Sequence, residues 1–323
     1  MKTFGPYFNG FRPVTLLVLM SFCLMGLQAC KFDNKQVQND PTIIEKENVV
    51  EIITNNMDFQ MPDTIKSGWN TFLYKNLSTQ THFFLIDKYP DGKTLEDAET
   101  LVVPHFENGM KLINEGKSEE GFAEFGKLPS WFSEVKFLGG SGLISPGLTA
   151  ETMINLEPGY YIIECYVKMS DGVFHNAMGM LEELVVIDMD SGNMALEASV
   201  NIDISSTEGI VFKDSILSGN HTFLVNFKDQ IVHENFVGHD INLVKLDNNA
   251  SLEVLEKWMN WADPKGLIEP APAGFIFLGG LNDMPAGNKG YFTVMLEPGN
   301  YALISEVPNT LSKNMLKTFK VYD

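Results

Sequence analysis

Leu156-Glu157-Pro158-Gly159-Tyr160-Tyr161-Ile162-Ile163-Glu164-Cys165 returns 140 residues later as Leu296-Glu297-Pro298-Gly299-Asn300-Tyr301-Ala302-Leu303-Ile304-Ser305. In each stretch Pro-Gly marks a turn, and the residues after it are the aromatic and aliphatic types that suit a strand. The period of two puts Tyr161, Ile163 and Cys165 on one face. Working outward, Phe137-Leu138-Gly139-Gly140 recurs as Phe277-Leu278-Gly279-Gly280 at the same offset of 140. Thr81-His82 and Leu95-Glu96 answer Gly238-His239 and Leu252-Glu253 at an offset of 157, so the first copy carries 17 extra residues between Leu101 and Pro129. Ile65-Lys66-Ser67-Gly68 pairs with Ile216-Leu217-Ser218-Gly219, and Met180-Leu181 with Met315-Leu316. Collinear anchors in this order mark a duplication.

Both copies read as β-rich. Short apolar runs such as Thr71 to Tyr74, Phe83 to Ile86, Thr152 to Leu156, Tyr161 to Tyr166, Leu184 to Ile187 and Thr222 to Val225 are separated by Gly, Pro, Asn and Asp clusters. Thr94 and Ser251 are N-cap residues, each opening an apolar pattern of helical period, which predicts one helix per copy. The expected architecture is all-β: two tandem Greek-key β-sandwich domains, each with a short helical insertion. The boundary falls near Gly192, giving domains over 49–192 and 193–323. The repeated Gly-Gly pair precedes no helix and lacks a following Lys, so it predicts a backbone bend rather than a phosphate loop.

The N-terminus has the layout of an export signal. Lys2 and Arg12 precede an apolar run from Val14 to Leu27, too short to span a bilayer, ending in Leu27-Gln28-Ala29-Cys30. That ending resembles the lipobox of bacterial lipoproteins, which implies a signal over 1–30, lipidation of Cys30, a polar tether over 31–48 and attachment to a lipid bilayer of the cell envelope, with the outer membrane favoured by Lys31. Loss of Lys2 and Arg12 takes the net charge from −19 to −21. Such a chain repels phosphate backbones and has no basic stripe, so nucleic acid is excluded as a partner.

Of three cysteines, Cys23 lies in the signal and Cys30 is the anchor, leaving Cys165 alone in an exported chain. A lone thiol there is either buried core or bound. After Cys165 the chain runs through Ser170-Asp171-Gly172 to His175 and Gly179-Met180, and a solitary His82 lies far upstream. Pro-Gly-x-Tyr-x-x-x-Cys, then His, then Gly-Met, with an earlier His, resembles the blue-copper cupredoxins. The resemblance implies a cupredoxin-like fold and one copper ion in the first copy, held by His82, Cys165 and His175, with Met180 as a weak axial ligand. Met178 competes for that last place. Thiolate and imidazole suit both copper oxidation states, and a long Met bond tunes the potential.

In the second copy Ser305 stands at the Cys165 position and no His lies between it and Met315, so His239 and Met315 are expected to pack rather than bind. His105, His221 and His233 fall outside the pattern and read as surface or loop residues. An oxidase of the same fold class needs His-x-His pairs or a His before the Cys. This chain has neither, and Glu164 precedes Cys165. A Cys-His hydrolase lacks a third orienting residue and an oxyanion loop. The chain is therefore expected not to be an enzyme but an electron carrier with a redox protein partner. A metal-free partner-binding scaffold and a copper capture or delivery protein are the alternatives.

Overall fold

The computed structural model describes residues 48–213 and 215–323. The export signal, Cys30 and all but the end of the tether lie outside the described residues. The first copy contributes β1 (Val49–Thr54), β2 (Thr64–Asn76), β3 (Leu85–Lys88), β4 (Lys136–Gly140), β5 (Thr149–Leu156), β6 (Gly159–Glu164) and β7 (Leu181–Asp190). The second contributes β8 (Val200–Ser205), β9 (Gly209–Val211), β10 (Ile216–Leu217), β11 (Gly219–Phe227), β12 (Ile241–Leu246), β13 (Phe275–Leu281), β14 (Lys289–Leu296), β15 (Gly299–Ile304) and β16 (Leu316–Tyr322). The chain is predominantly β, as expected.

Strand pairing repeats between copies. β1 runs parallel to β2, and β8 parallel to β11. β2 changes sheets along its length: Thr64 to Ser67 pair with β7, and Gly68 to Lys75 pair with β5. The second copy divides the same task between β10, beside β16, and β11, beside β14. In both copies a buried tyrosine ties its strand to the preceding turn: Tyr161 Oη donates to the Glu157 carbonyl at 2.7 Å and Tyr301 Oη to the Glu297 carbonyl at 2.8 Å. The Gly-Gly bends are also shared. Gly140 and Gly280 have φ of +158° and +146°, and a Cβ there would lie 1.9 Å from the Phe84 carbonyl oxygen and 2.0 Å from that of Ile241. Only glycine lets these backbones approach so closely.

The copies are fused rather than merely adjacent. β5 pairs antiparallel with β14, joining their sheets into one, with Thr152 opposite Phe292, Met153 opposite Tyr291 and Glu151 opposite Thr293. Thr152 and Phe292 are equivalent positions at the offset of 140, so a local two-fold axis passes between them. The same symmetry appears where the Gly139 amide donates to the Asp283 carbonyl at 2.9 Å and the Gly279 amide to the Leu143 carbonyl at 2.8 Å. One apolar core runs through both halves. The Phe223 and Phe292 rings stack in it at 4.6 Å, a contact worth about 0.5–1.5 kcal/mol beyond its buried area.

The helical content departs from one helix per copy. Thr94 closes a capping box with Asp97 at the start of α1 (Leu95–Leu101), but α2 (Val103–Asn114) and α3 (Ser118–Phe125) follow, and only the second copy has a single helix, α4 (Leu252–Met259), with Ser251 capping the Val254 amide. The extra residues of the first copy are thus helical. His105 lies in α2, where its Nδ1 is 3.0 Å from Glu124, and His221 lies in β11, so neither is a loop residue. Among the described residues no helix is long and apolar enough to cross a membrane.

Candidate metal centre

Three elements deliver the expected side chains to one point. His82 sits just before β3, held by reciprocal backbone bonds to Ile144 at 3.2 and 2.7 Å. Cys165 follows the last residue of β6. His175 opens a single helical turn over Asn176–Met178, its amide bonded to the Val167 carbonyl at 2.8 Å. Met180 comes directly before β7. The Cys165 amide donates to its carbonyl at 3.2 Å, and its own amide donates to the His175 carbonyl at 3.0 Å. The loop between Cys165 and Met180 is therefore laced shut at both ends. All four residues are fully buried, whereas Met178 is 50 % exposed.

The ligand atoms converge. His82 Nδ1 and His175 Nδ1 are 3.0 Å apart, and Cys165 Sγ lies 3.9 Å from the first and 3.7 Å from the second. Metal bonds of about 2.0 Å to imidazole and about 2.3 Å to thiolate leave nitrogen and sulfur roughly 3.7 Å apart in a trigonal plane. Among the described residues this is the one group of three His, Cys, Asp or Glu side chains whose ligand atoms come within 4.8 Å of one another.

Without a cation one hydrogen can bridge the two Nδ1 atoms, and both Nε2 atoms point into buried surroundings with no partner. Burial holds both imidazoles neutral, lowering His82 to about 4 and, helped by repulsion from His82, His175 to about 3. Burial pushes the Cys165 thiol up to about 12, opposed by the Phe83 and Val167 amides that reach its sulfur. Neutral imidazoles are ready ligands, and a bound ion would deprotonate the thiol outright.

The equivalent place in the second copy is filled differently. The Ser305 amide bonds the Met315 carbonyl at 3.0 Å and the Met315 amide bonds the Thr310 carbonyl at 2.8 Å, so Thr310 holds the place of His175. Ser305 Oγ donates to Asp240 at 2.7 Å. His239 Nε2 lies 2.8 Å from the Asp229 carbonyl, its Nδ1 lies 3.1 Å from His233 Nε2, and its ring stacks on Phe227. His233 lies in a loop, as expected, and from there pairs with buried His239.

No family model matches the chain, and no curated protein matches it. Among solved structures, auracyanin from the photosynthetic bacterium Roseiflexus castenholzii is 20 % identical, over 43 % of this chain and 96 % of that one, with a TM-score of 0.26. Auracyanin A, described as a blue copper protein from Chloroflexus aurantiacus, is 19 % identical over 43 % of this chain and 97 % of its own, with a TM-score of 0.26. A multicopper oxidase is 10 % identical over 84 % of this chain and 87 % of its own, with a TM-score of 0.21. TM-scores this low carry no argument for the site, whose case stands on this chain's own residues.

Proposed function

We propose that the first copy is a cupredoxin-like electron carrier holding a single copper ion through His82 Nδ1, His175 Nδ1 and Cys165 Sγ, with Met180 as the axial residue. The observation that carries this reading is the convergence of those three atoms at separations of 3.0 to 3.9 Å inside a fully buried shell. Two imidazoles and one thiolate form the trigonal donor set that suits both copper oxidation states. Bound there, copper supplies a one-electron couple. The protein's own part is to fix the ligands before the ion arrives. The Ile144 bridge sets His82, the Val167 carbonyl sets His175, and the Phe83 and Val167 amides stabilise negative charge on sulfur. The burial of Met180, against the exposure of Met178, supports Met180 as the axial residue.

In this reading the chain is exported, anchored through lipid on Cys30 to the cell envelope, at the outer membrane rather than the inner, and exchanges electrons with a protein partner without catalysing a reaction. The second copy, whose corresponding side chains are Ser305 and Thr310, serves as scaffold. Voltammetry of the copper-loaded full chain tests the proposal. A reversible one-electron wave that is absent from Cys165→Ser supports electron transfer. Tight Cu(I) binding without such a wave would instead mean copper capture, and no binding at all would leave a metal-free scaffold.

A further inference from the structure

A second cluster lies where the two copies meet, beside the loop that carries Cys165 and His175 but on separate chemistry. Five carboxyls line one pocket: Asp87 and Glu164 from the first copy, and Asp240, Asp283 and Glu306 from the second. Asp87, Asp240, Asp283 and Glu306 are only 2, 3, 7 and 3 % exposed. No lysine or arginine lines the pocket among the described residues. The buried cation nearby, Lys168, is committed to the carbonyls of Asp263 and Pro264 at 3.4 and 3.2 Å.

Burying like charges together costs several kcal/mol per ion unless partners compensate. Some partners exist. Asp240 accepts from Ser305, the Glu306 amide and Asn242, Glu306 accepts from the Tyr166 hydroxyl at 3.1 Å, and Glu164 accepts from the Asn176 amide at 2.8 Å. The set remains incomplete. Asp87 shares a proton with Glu164, but Asp87 Oδ1 has no further donor, and Asn176 Oδ1 in the same wall has none. Burial, reinforced by the charge of Asp240, lifts Asp283 to about 8, as expected of an acid cluster short of positive charge.

The rest of the lining is aromatic. Phe106, delivered by α2, lies 5.9 Å from the Phe132 ring and 6.0 Å from those of Phe174 and Phe236. Phe236 is held at φ +74°, a backbone conformation that costs a bulky residue on the order of 1–3 kcal/mol and persists only where the surroundings impose it. Trp261 and Tyr166 complete the wall. Val102 and Phe106 belong to the segment that is longer in the first copy, so that segment helps to build the pocket.

We propose that this pocket binds a small organic cation, a primary ammonium head on a short apolar stem, with the head among the carboxyls and the stem against the aromatic rings. Aromatic faces attract a desolvated ammonium and accept its carbon stem. A bare divalent ion would need several oxygens within one coordination shell, and no three of these carboxyls bring their oxygens within 4.8 Å of one another. The cavity volume is about 70 Å³ and its mouth is open, room for a short alkylamine and little more. The proposal does not depend on copper.

Calorimetric titration of the copper-free full chain with n-butylammonium, with 1-butanol as its neutral counterpart and with calcium chloride, tests it. Saturable butylammonium binding, at least about tenfold tighter than butanol, with no calcium binding, is expected. At about pH 9, where Asp283 is ionised in the folded protein and butylammonium is still charged, Asp283→Asn should weaken butylammonium by about tenfold or more without lowering the melting temperature of the free protein. Phe106→Ala should weaken it while keeping all five carboxyls. Equal binding of amine and alcohol, calcium binding that competes with the amine, or no amine binding by folded wild-type protein would each overturn the proposal.

Discussion

The amide of Cys165 donates to the carbonyl of Met180 at 3.2 Å, and in the second copy the amide of Ser305 donates to the carbonyl of Met315 at 3.0 Å. The same bond closes a longer loop in the first copy than in the second. The additional residues build a turn in which the Met169 amide bonds the Val173 carbonyl and the Gly172 amide bonds the Met169 carbonyl, and that turn returns the chain to His175. A shared backbone frame thus carries two different sets of side chains, and the ligands are separable from the fold.

Cys165→Ser should therefore remove copper binding while leaving the fold intact. Its hydroxyl would lack the carboxylate that Ser305 finds in Asp240, because Phe83 stands at that position in the first copy. We expect a loss of about 1–2 kcal/mol in the metal-free protein, measured by urea unfolding.

Met180→Leu should retain copper and raise the reduction potential, since axial donation to the oxidised ion is lost. Met178→Leu, at a half-exposed position, should leave potential and spectrum unchanged. Voltammetry of the two variants separates the two methionines.

Gly179→Ala should be costly out of proportion to its size. Gly179 has φ +121°, and a Cβ would lie 2.7 Å from the Met57 carbonyl oxygen. A loss of about 2–3 kcal/mol is expected, with weaker copper binding as the turn between His175 and Met180 shifts. Denaturant melts with and without copper measure both effects.

Asp283 sets a pH dependence of definite sign. Its pKa rises from an ordinary carboxyl value to about 8 on folding, chiefly through burial. Between about pH 4 and 8 the unfolded chain gives up this proton and the folded chain keeps it, so the contribution of Asp283 to stability is fully present below pH 4 and is lost as pH rises toward 8. Asp283→Asn cannot ionise and should stabilise the protein at pH 7.5 by an amount on the order of a few kcal/mol, with little effect at pH 4. Melting curves at the two pH values test this.

Much of the fold was legible because its signals are local or repeated. Pro158-Gly159 and Pro298-Gly299 open equivalent strands, each with its tyrosine bonded back to the turn. Thr94 and Ser251 begin helices where their cap chemistry predicts. Cys165, His175 and Met180 share one loop, so their convergence with His82 needed only the sheet to bring two strands together. Helices α2 and α3 were not anticipated, since the second copy offers no counterpart. The acid pocket was invisible for a different reason. Asp87, Glu164, Asp240, Asp283 and Glu306 sit in unrelated sequence contexts, and what gathers them is the joining of β5 to β14, which no local pattern announces.

Optical titration of the full chain with Cu(II) tests the central claim most directly. Saturation at one equivalent, with an intense visible band that disappears on reduction and never forms in Cys165→Ser, is the predicted result. A colourless titration, or one that the serine variant reproduces, would contradict a copper–thiolate bond at Cys165 and with it the assignment of the first copy as an electron carrier.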